Sequence, residues 1–289
     1  MNSFEALLKI EPNLSYFEEA EVEFAGKSVG WHISAMTGDG RALGTGLADS
    51  RDVARTIATA EMLERRLVLD LINHQPDDSY LSTHPTTCGF AFGFSLRETL
   101  FRSRCEAIER WAWSHWIDRN TPLSRVPINI EALNPIARVM AAKFYDVWFL
   151  RSPPIHNIAN GIQCTYRFCV TLGFHGEGVY AGSRVLLDGS EDWTHPLTES
   201  WRHSLVGTEL KAIPSTENLD IIQRRILHFS TSRAEALGQL AIGTVSRWPS
   251  PTLTVPFIHF EPTTRGYLTR FLCHDYTPWH VGDCHRFVY

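Results

Sequence analysis

Two glutamate–arginine runs carry the chemistry that this sequence can do. Glu61, Glu64 and Arg65 form a Glu-x-x-Glu-Arg run, and Glu106, Glu109 and Arg110 repeat it at an offset of 45 residues. Residues three and four apart share a helical face, so each run sets two carboxylates side by side. At about 100° per residue, Glu98 falls within roughly 20° of Glu109 and 80° of Glu106, which gives the second helix a stripe of three carboxylates. Carboxylates grouped in this way repel one another. A hard divalent cation relieves the repulsion, because Mg²⁺ takes oxygen ligands and bridges to phosphate. The closing arginines have the planar fork that grips a phosphate or pins a carboxylate. Plainer uses fit the same residues: Glu61–Arg65 and Glu106–Arg110 are i,i+4 pairs, and Ser95 with Glu98 makes a capping box. Repetition at a fixed offset favours the chemical reading.

The repeat extends to the elements that must hold these side chains. Gly44 pairs with Gly89 and Ser50 with Ser95 at the same offset, so each run follows a glycine-bearing strand end and a capping serine. Two copies are too few for a solenoid and predict pseudo-symmetry within one domain. Periodicity places the helices at about 50–72, with Val53, Ile57, Leu63, Leu67 and Leu71 on apolar positions, and at 95–117. Residues 1–24 read as a leader element, with a few helical turns over 1–20. Residues 21–48 read as a hairpin around Gly38-Asp39-Gly40, with one strand at 29–36 and another from Ala42. Further strands are expected at 88–94, 147–150, 163–172, 179–185, 256–260 and 267–273. Further helices are expected at 136–145, 196–205 and 219–242. Residues 73–87 have the look of a loop. The fold class is mixed α+β with no clear linker.

Composition narrows the function. The chain has 289 residues, a net charge of −5 and 44% hydrophobic residues, enough for a packed core. No polybasic tract appears, which argues against nucleic acid as a partner. No apolar run approaches the roughly 18–20 residues that cross a bilayer, and the N-terminus lacks a signal-peptide pattern, so a cytoplasmic protein is expected. The six cysteines form no CxxC pair and suggest neither a disulfide framework nor structural zinc. The histidines form no HxxxH or HExxH, and each reads as a local structural residue. Gly26-Lys27-Ser28 imitates the end of a P-loop, but Glu21 stands where the first glycine should be. Trp111, Trp113 and Trp116 read as core and groove aromatics.

The segment Thr87-Cys88-Gly89-Phe90-Ala91-Phe92-Gly93-Phe94-Ser95, followed by Glu98 and by Glu106 through Arg110, resembles the hallmark segment of YcaO-domain proteins. Gly44 through Arg65 is similar to the family's earlier glycine-rich strand and Glu-x-x-Glu-Arg helix. Tyr180 through Leu205, with Glu199 and His203, and Tyr267 through Arg270 match more weakly. The resemblance runs from about residue 25, so that 25–289 would be a YcaO-like domain.

The resemblance implies an α+β fold in which glutamate-bearing helices surround a nucleotide site without a P-loop. It assigns Glu61, Glu64, Glu106 and Glu109 to Mg²⁺, and Arg65, Glu98, Arg110, Glu199 and Arg270 to ATP. The activity it implies is Mg-ATP-dependent phosphorylation of peptide backbone amides, leading to an azoline, a thioamide or an amidine. The implied partners are a peptide or protein substrate and a separate recognition protein that presents it. A homodimer is compatible with exposed aromatic helices. The catalytic residues, the attacking nucleophile and the product are not specified. Phe94 stands where the family has a polar asparagine, Cys88 replaces another polar residue, and the end lacks the proline-rich tail of azoline-forming members. These departures support a second reading, a catalytically degenerate scaffold or partner-binding subunit.

Overall fold

Ala25 and Gly26 both sit at positive φ, 51° and 73°, and join Phe24 to Lys27 in the tight turn that right-handed strand twist favours. The turn pairs β1 (Tyr16–Phe24) with β2 (Lys27–Met36), and β2 pairs on its other side with β3 (Ala42–Ala48). The structure, a computed structural model, describes residues 4–74, 87–159, 162–190 and 192–288. The expected loop at 73–87 therefore lies mostly outside the described residues. Among the described residues of the leader, the helical ones are those of α1 (Phe4–Ile10). The next segment, rich in glutamate, is an edge strand: Glu18, Glu19, Glu21 and Glu23 load β1 with charge, a common protection for an unpaired edge.

The chain divides into two compact units, Met1–Ala107 with Leu253–Leu272, and Ile108–Thr252 with Cys273–Tyr289. In the first, α2 (Arg51–His74) packs on β3. Val53 and Ile57, expected on its apolar face, are instead exposed, while Ala54 and Ala58 are fully buried. Gly44 and Gly46 on β3 explain the difference. Neither has a Cβ, so the strand lies against the α2 backbone and only alanine fits on the facing side of the helix. Farther along, Met62, Leu63 and Leu67 join Phe90, Phe92 and Leu268 in the core. A second sheet of this unit orders β10 (Phe257–Glu261), β11 (Gly266–Arg270) and β4 (Phe90–Gly93). The helix α3 (Leu96–Ile117) begins here, and the unit boundary falls within it.

The second unit is built on one long strand. Along one edge of β8 (Ile162–His175) run β6 (Asp146–Arg151), which also pairs with β5 (Ser124–Arg125), and β7 (Ile155–Ala159). β6 and β7 are separated by Pro153 and Pro154, which have no N–H to give a ladder. The other edge of β8 pairs with β9 (Gly178–Leu187), and α5 (Thr194–Lys211) covers β9. A short helix, α4 (Pro135–Ala141), is capped by the Asn134 side chain. The helix expected over 219–242 is two helices, α6 (Ile221–Phe229) and α7 (Arg233–Gln239). Ser230-Thr231-Ser232 separates them, and Lys211 Nζ caps the Ser230 carbonyl at 3.0 Å. Trp113, Trp116, Phe168 and Phe287 form the aromatic core. With seven α-helices and antiparallel sheets among the described residues, the fold is α+β as expected. Among these residues no helix is long and apolar enough to cross a membrane.

A buried arginine fixes the last segment of this unit. Arg225 on α6 is fully buried. Its Nε donates to the Asp283 carbonyl at 2.9 Å, its Nη2 to Val281 at 2.8 Å, and its Nη1 to Trp279 and Val288. Burial, then the neighbouring Arg286, lowers its pKa to about 10, so it remains a cation at neutral pH. Arg225→Met would leave four carbonyls without these donors. The expected loss is about 3 kcal/mol or more, because an unsatisfied buried polar group costs about 1–3 kcal/mol. Urea denaturation followed by tryptophan fluorescence measures it, and an unshifted midpoint would show that the arginine is dispensable.

Candidate functional site

In the first unit the structure brings Glu61, Glu64 and Glu106 together. Glu61 accepts from the Thr45 N–H at 2.7 Å and the Thr45 hydroxyl at 3.1 Å, while Arg65 Nη2 donates to its other oxygen at 2.5 Å. Arg65 also reaches the Leu43 carbonyl at 3.1 Å. Glu64 accepts from the Phe92 N–H at 3.1 Å. Burial raises the Glu64 pKa to about 8, the Glu106 and Glu61 charges push in the same direction, and Arg102 with the Phe92 N–H pulls against them. Arg102 itself is held by the Phe92 carbonyl at 3.1 Å. Three carboxylates thus crowd β3, β4 and the helices behind them, and one keeps its proton at neutral pH. A set of oxygen donors with excess negative charge fits a hard divalent cation.

Glu98 is exposed in the first turn of α3. Arg270 is fully buried on β11: its Nε donates to the Cys88 carbonyl at 3.1 Å, and its guanidinium lies 4.5 Å from the Phe90 ring centre. Phe94 is exposed and meets Phe92 edge to face.

The second unit has its own carboxylate pair, joined by one serine. Ser183 Oγ donates to Glu109 Oε1 at 2.7 Å and accepts from Trp113 Nε1 at 2.8 Å, while the Ser183 N–H donates to Glu199 Oε2 at 2.8 Å. Glu109, only 5% exposed, also accepts from the Val185 N–H at 3.3 Å, and Arg110 Nη2 lies 3.9 Å from it. Burial acts to raise the Glu199 pKa, but His195, 3.3 Å away, with His203 and the Ser183 N–H, outweighs it and holds the carboxyl at about 2. Burial lowers the pKa of His203, whose Nδ1 lies 2.6 Å from the Ala181 carbonyl.

The two units use the same local device. Thr45 and Ser183 each follow a glycine, and each gives its N–H to a glutamate 16 residues later. The glycines match as well: a Cβ on Gly44 would strike Ala58 O and Met62 N, and one on Gly182 would strike Pro196 O and Ser200 N. Both pairs stand 14 and 18 residues on. The copy found at offset 45 is built otherwise. Gly89, at φ 75°, has no space for a Cβ because the Phe271 carbonyl would lie 1.9 Å away, and Phe90 N–H bonds to Thr87 O. The sequence echo thus marks two glutamate helices, whereas the repeated geometry joins the first to the weaker match at Tyr180–Leu205. Thr45, Arg102, Ser183 and His195 were not singled out from sequence. A Gly-Thr or Gly-Ser followed at 16 residues by glutamate was the available signal for the first and third.

These helices and sheets occur together in solved structures. A heterocyclase in complex with substrate and cofactor matches with a TM-score of 0.58 at 11% identity, over 95% of this chain and 52% of its own length. This chain therefore spans about half of that protein. YcaO from Methanopyrus kandleri bound with AMPPCP and Mg²⁺ matches with a TM-score of 0.57 at 13% identity, over 99% of this chain and 92% of its own. The E. coli microcin synthetase McbBCD complex with pro-MccB17 bound gives 0.57 at 11% identity, over 92% and 91%. The α+β class with carboxylate-bearing helices behind the strands is thereby specified further: the chain has a YcaO-like fold. No family model and no curated protein matches the sequence.

Proposed function

We propose that this protein uses Mg-ATP to activate backbone amides of a peptide or protein substrate. The observation that carries the reading is the Glu61–Glu64–Glu106 cluster, where burial first, and then the Glu106 and Glu61 charges, raise the Glu64 pKa to about 8. Neighbours of the same fold that are described with AMPPCP and Mg²⁺, and with pro-MccB17, support it. Glu61, Glu64, Glu106 and Glu109 are the residues we assign to Mg²⁺. Arg65, Arg110 and Glu199, with Glu98 and Arg270, are those we assign to the nucleotide. When bound, Mg-ATP supplies the phosphoryl group that makes an amide oxygen a leaving group. The chain's own residues prepare for it. Thr45 and Ser183 orient Glu61 and Glu199 through N–H donors, Glu64 would give up its proton on holding a cation, and Arg65 and Arg110 would offer guanidinium donors to anionic oxygens. Presentation of the substrate by a separate recognition protein belongs to this reading, and so does a choice among azoline, thioamide and amidine products.

Calorimetry of ATP with and without Mg²⁺ tests it. Wild type is expected to bind only with Mg²⁺, and Glu106→Gln and Glu199→Gln to lose binding at least about tenfold while remaining folded. A folded wild-type protein that binds no Mg-ATP would overturn the reading. That result would leave the scaffold or partner-binding alternative, which the exposed Phe94 favours.

A further inference from the structure

Outside these clusters, the second unit gathers three metal-ligating side chains, two of them seven residues apart and the third 50 residues farther on. His228 in the last turn of α6, Glu235 in the first turn of α7 and His285 in the C-terminal segment place their ligand atoms within 4.8 Å of one another. His228 Nε2 lies 2.9 Å from Glu235 Oε2, and His285 Nδ1 lies 2.9 Å from Glu235 Oε1. The two imidazole rings are 4.5 Å apart. We propose that His228, Glu235 and His285 form a Zn²⁺ site.

The donor set selects the metal. Two imidazole nitrogens and one carboxylate suit a borderline transition ion, whereas Mg²⁺ takes oxygen ligands only. Three protein ligands leave a fourth position for water or an exchangeable ligand. Access is available, since the side chains of Glu235 and His285 are 40% and 59% exposed. Glu235 also lines an open cleft of about 870 Å³ with Tyr145, Glu177, Arg233 and Leu237.

The frame around the three residues is already built. Gln239 on α7 donates to the His285 carbonyl at 2.6 Å and accepts from the Phe287 N–H at 2.9 Å. Phe287 is fully buried and meets Phe229, the neighbour of His228, edge to face at 4.9 Å. The histidine on the terminal segment is therefore held at a fixed distance from the histidine on α6. A simple ion pair needs one histidine. Two imidazoles converging on one carboxylate is the arrangement in which a single cation replaces both hydrogen bonds. A bound ion would tie α6, α7 and the C-terminal segment together.

The test titrates the full chain with ZnCl₂ in excess Mg²⁺ and compares Co²⁺ as a spectroscopic probe. One equivalent of Zn²⁺ is expected to bind, with a visible Co²⁺ ligand-field spectrum that lacks thiolate charge transfer. His285→Ala and Glu235→Gln alter exposed side chains, so circular dichroism should show both folded. Each should weaken Zn²⁺ by at least the ~10–100-fold that loss of an outer-shell partner costs. Zn²⁺ should also raise the melting temperature of wild type and not of His285→Ala. Absence of stoichiometric binding, or equal binding by wild type and both variants, overturns the site. A thiolate spectrum does so too, by assigning the metal to cysteine. ATP binding is measured separately, so its loss or retention leaves this result intact.

Discussion

Glu64→Gln is expected to give a protein that folds, is more stable than wild type at pH 8, and no longer holds Mg-ATP. The stability half follows from the raised carboxyl. Burial first, then Glu106 and Glu61, lifts Glu64 from its ordinary 4.5 to about 8. Between these values the native state keeps a proton that the unfolded chain has released. Stability contributed at this site therefore falls as pH rises through the window. Glutamine removes that slope while its amide oxygen keeps the Phe92 N–H as a donor. Because Glu64 is half-buried, solvent screening cuts the gain to about 1–2 kcal/mol at pH 8. Urea denaturation at pH 5 and pH 8 checks it: the two proteins should converge at the lower pH and separate at the higher. A constant difference would disprove the raised carboxyl.

The binding half rests on the proposed function. A cation seated among the three carboxylates must displace the Glu64 proton, so wild type should release up to one proton on binding Mg-ATP below pH 8. Calorimetry in buffers of different ionisation enthalpy measures that proton directly. Glutamine cannot supply the charge, and loss of binding in a stabilised variant separates a ligand role from a structural one. Retained binding with no proton released would remove Glu64 from the site. Gains in stability on removing a functional group are common where a site holds like charges together.

How much of this was legible in the sequence depends on the range of the interaction. The spans of α2 and α3 followed from periodicity and capping, because a helix records its boundaries locally. The pairing of β1 did not: Glu18 and Glu19 fall in the stretch that reads as helical turns, and only the Ala25-Gly26 turn and the β2 edge make the whole segment a strand. The buried face of α2 was misplaced at Val53 and Ile57, because Gly44 and Gly46 let a strand approach so closely that alanine is preferred. For the candidate site, the Glu-x-x-Glu-Arg runs are visible as a repeat, but the partners that orient them are distant in sequence: Thr45 lies 16 residues before Glu61, and Ser183 lies 74 residues after Glu109. His228, Glu235 and His285 show no ligand spacing, since 50 residues separate the last two and only the tertiary fold brings them together.

Gly46→Ala and Gly182→Ala are expected to be the most damaging single substitutions of their size. A Cβ at position 46 would stand 1.9 Å from the Ala54 carbonyl oxygen and 2.8 Å from the Ala58 nitrogen. At position 182 it would stand 2.0 Å from Pro196 O and 2.6 Å from Ser200 N. These are backbone atoms of the packed helix, so no side chain can swing aside and the whole of α2 or α5 must shift. Overpacking of this kind costs about 3 kcal/mol or more. The shift also reaches the carboxylates, because the Thr45 and Ser183 N–H groups that orient Glu61 and Glu199 are adjacent to Gly46 or Gly182. Gly238→Ala is the matched control. That glycine lies in α7 at ordinary φ with open space around it, and alanine there should stabilise the helix by about 0.5–1 kcal/mol. Thermal melts of the three variants give the comparison. Wild-type stability in Gly46→Ala or Gly182→Ala would mean that the helix does not lie on the strand at that site, and that the N–H donors to Glu61 and Glu199 are not what holds them.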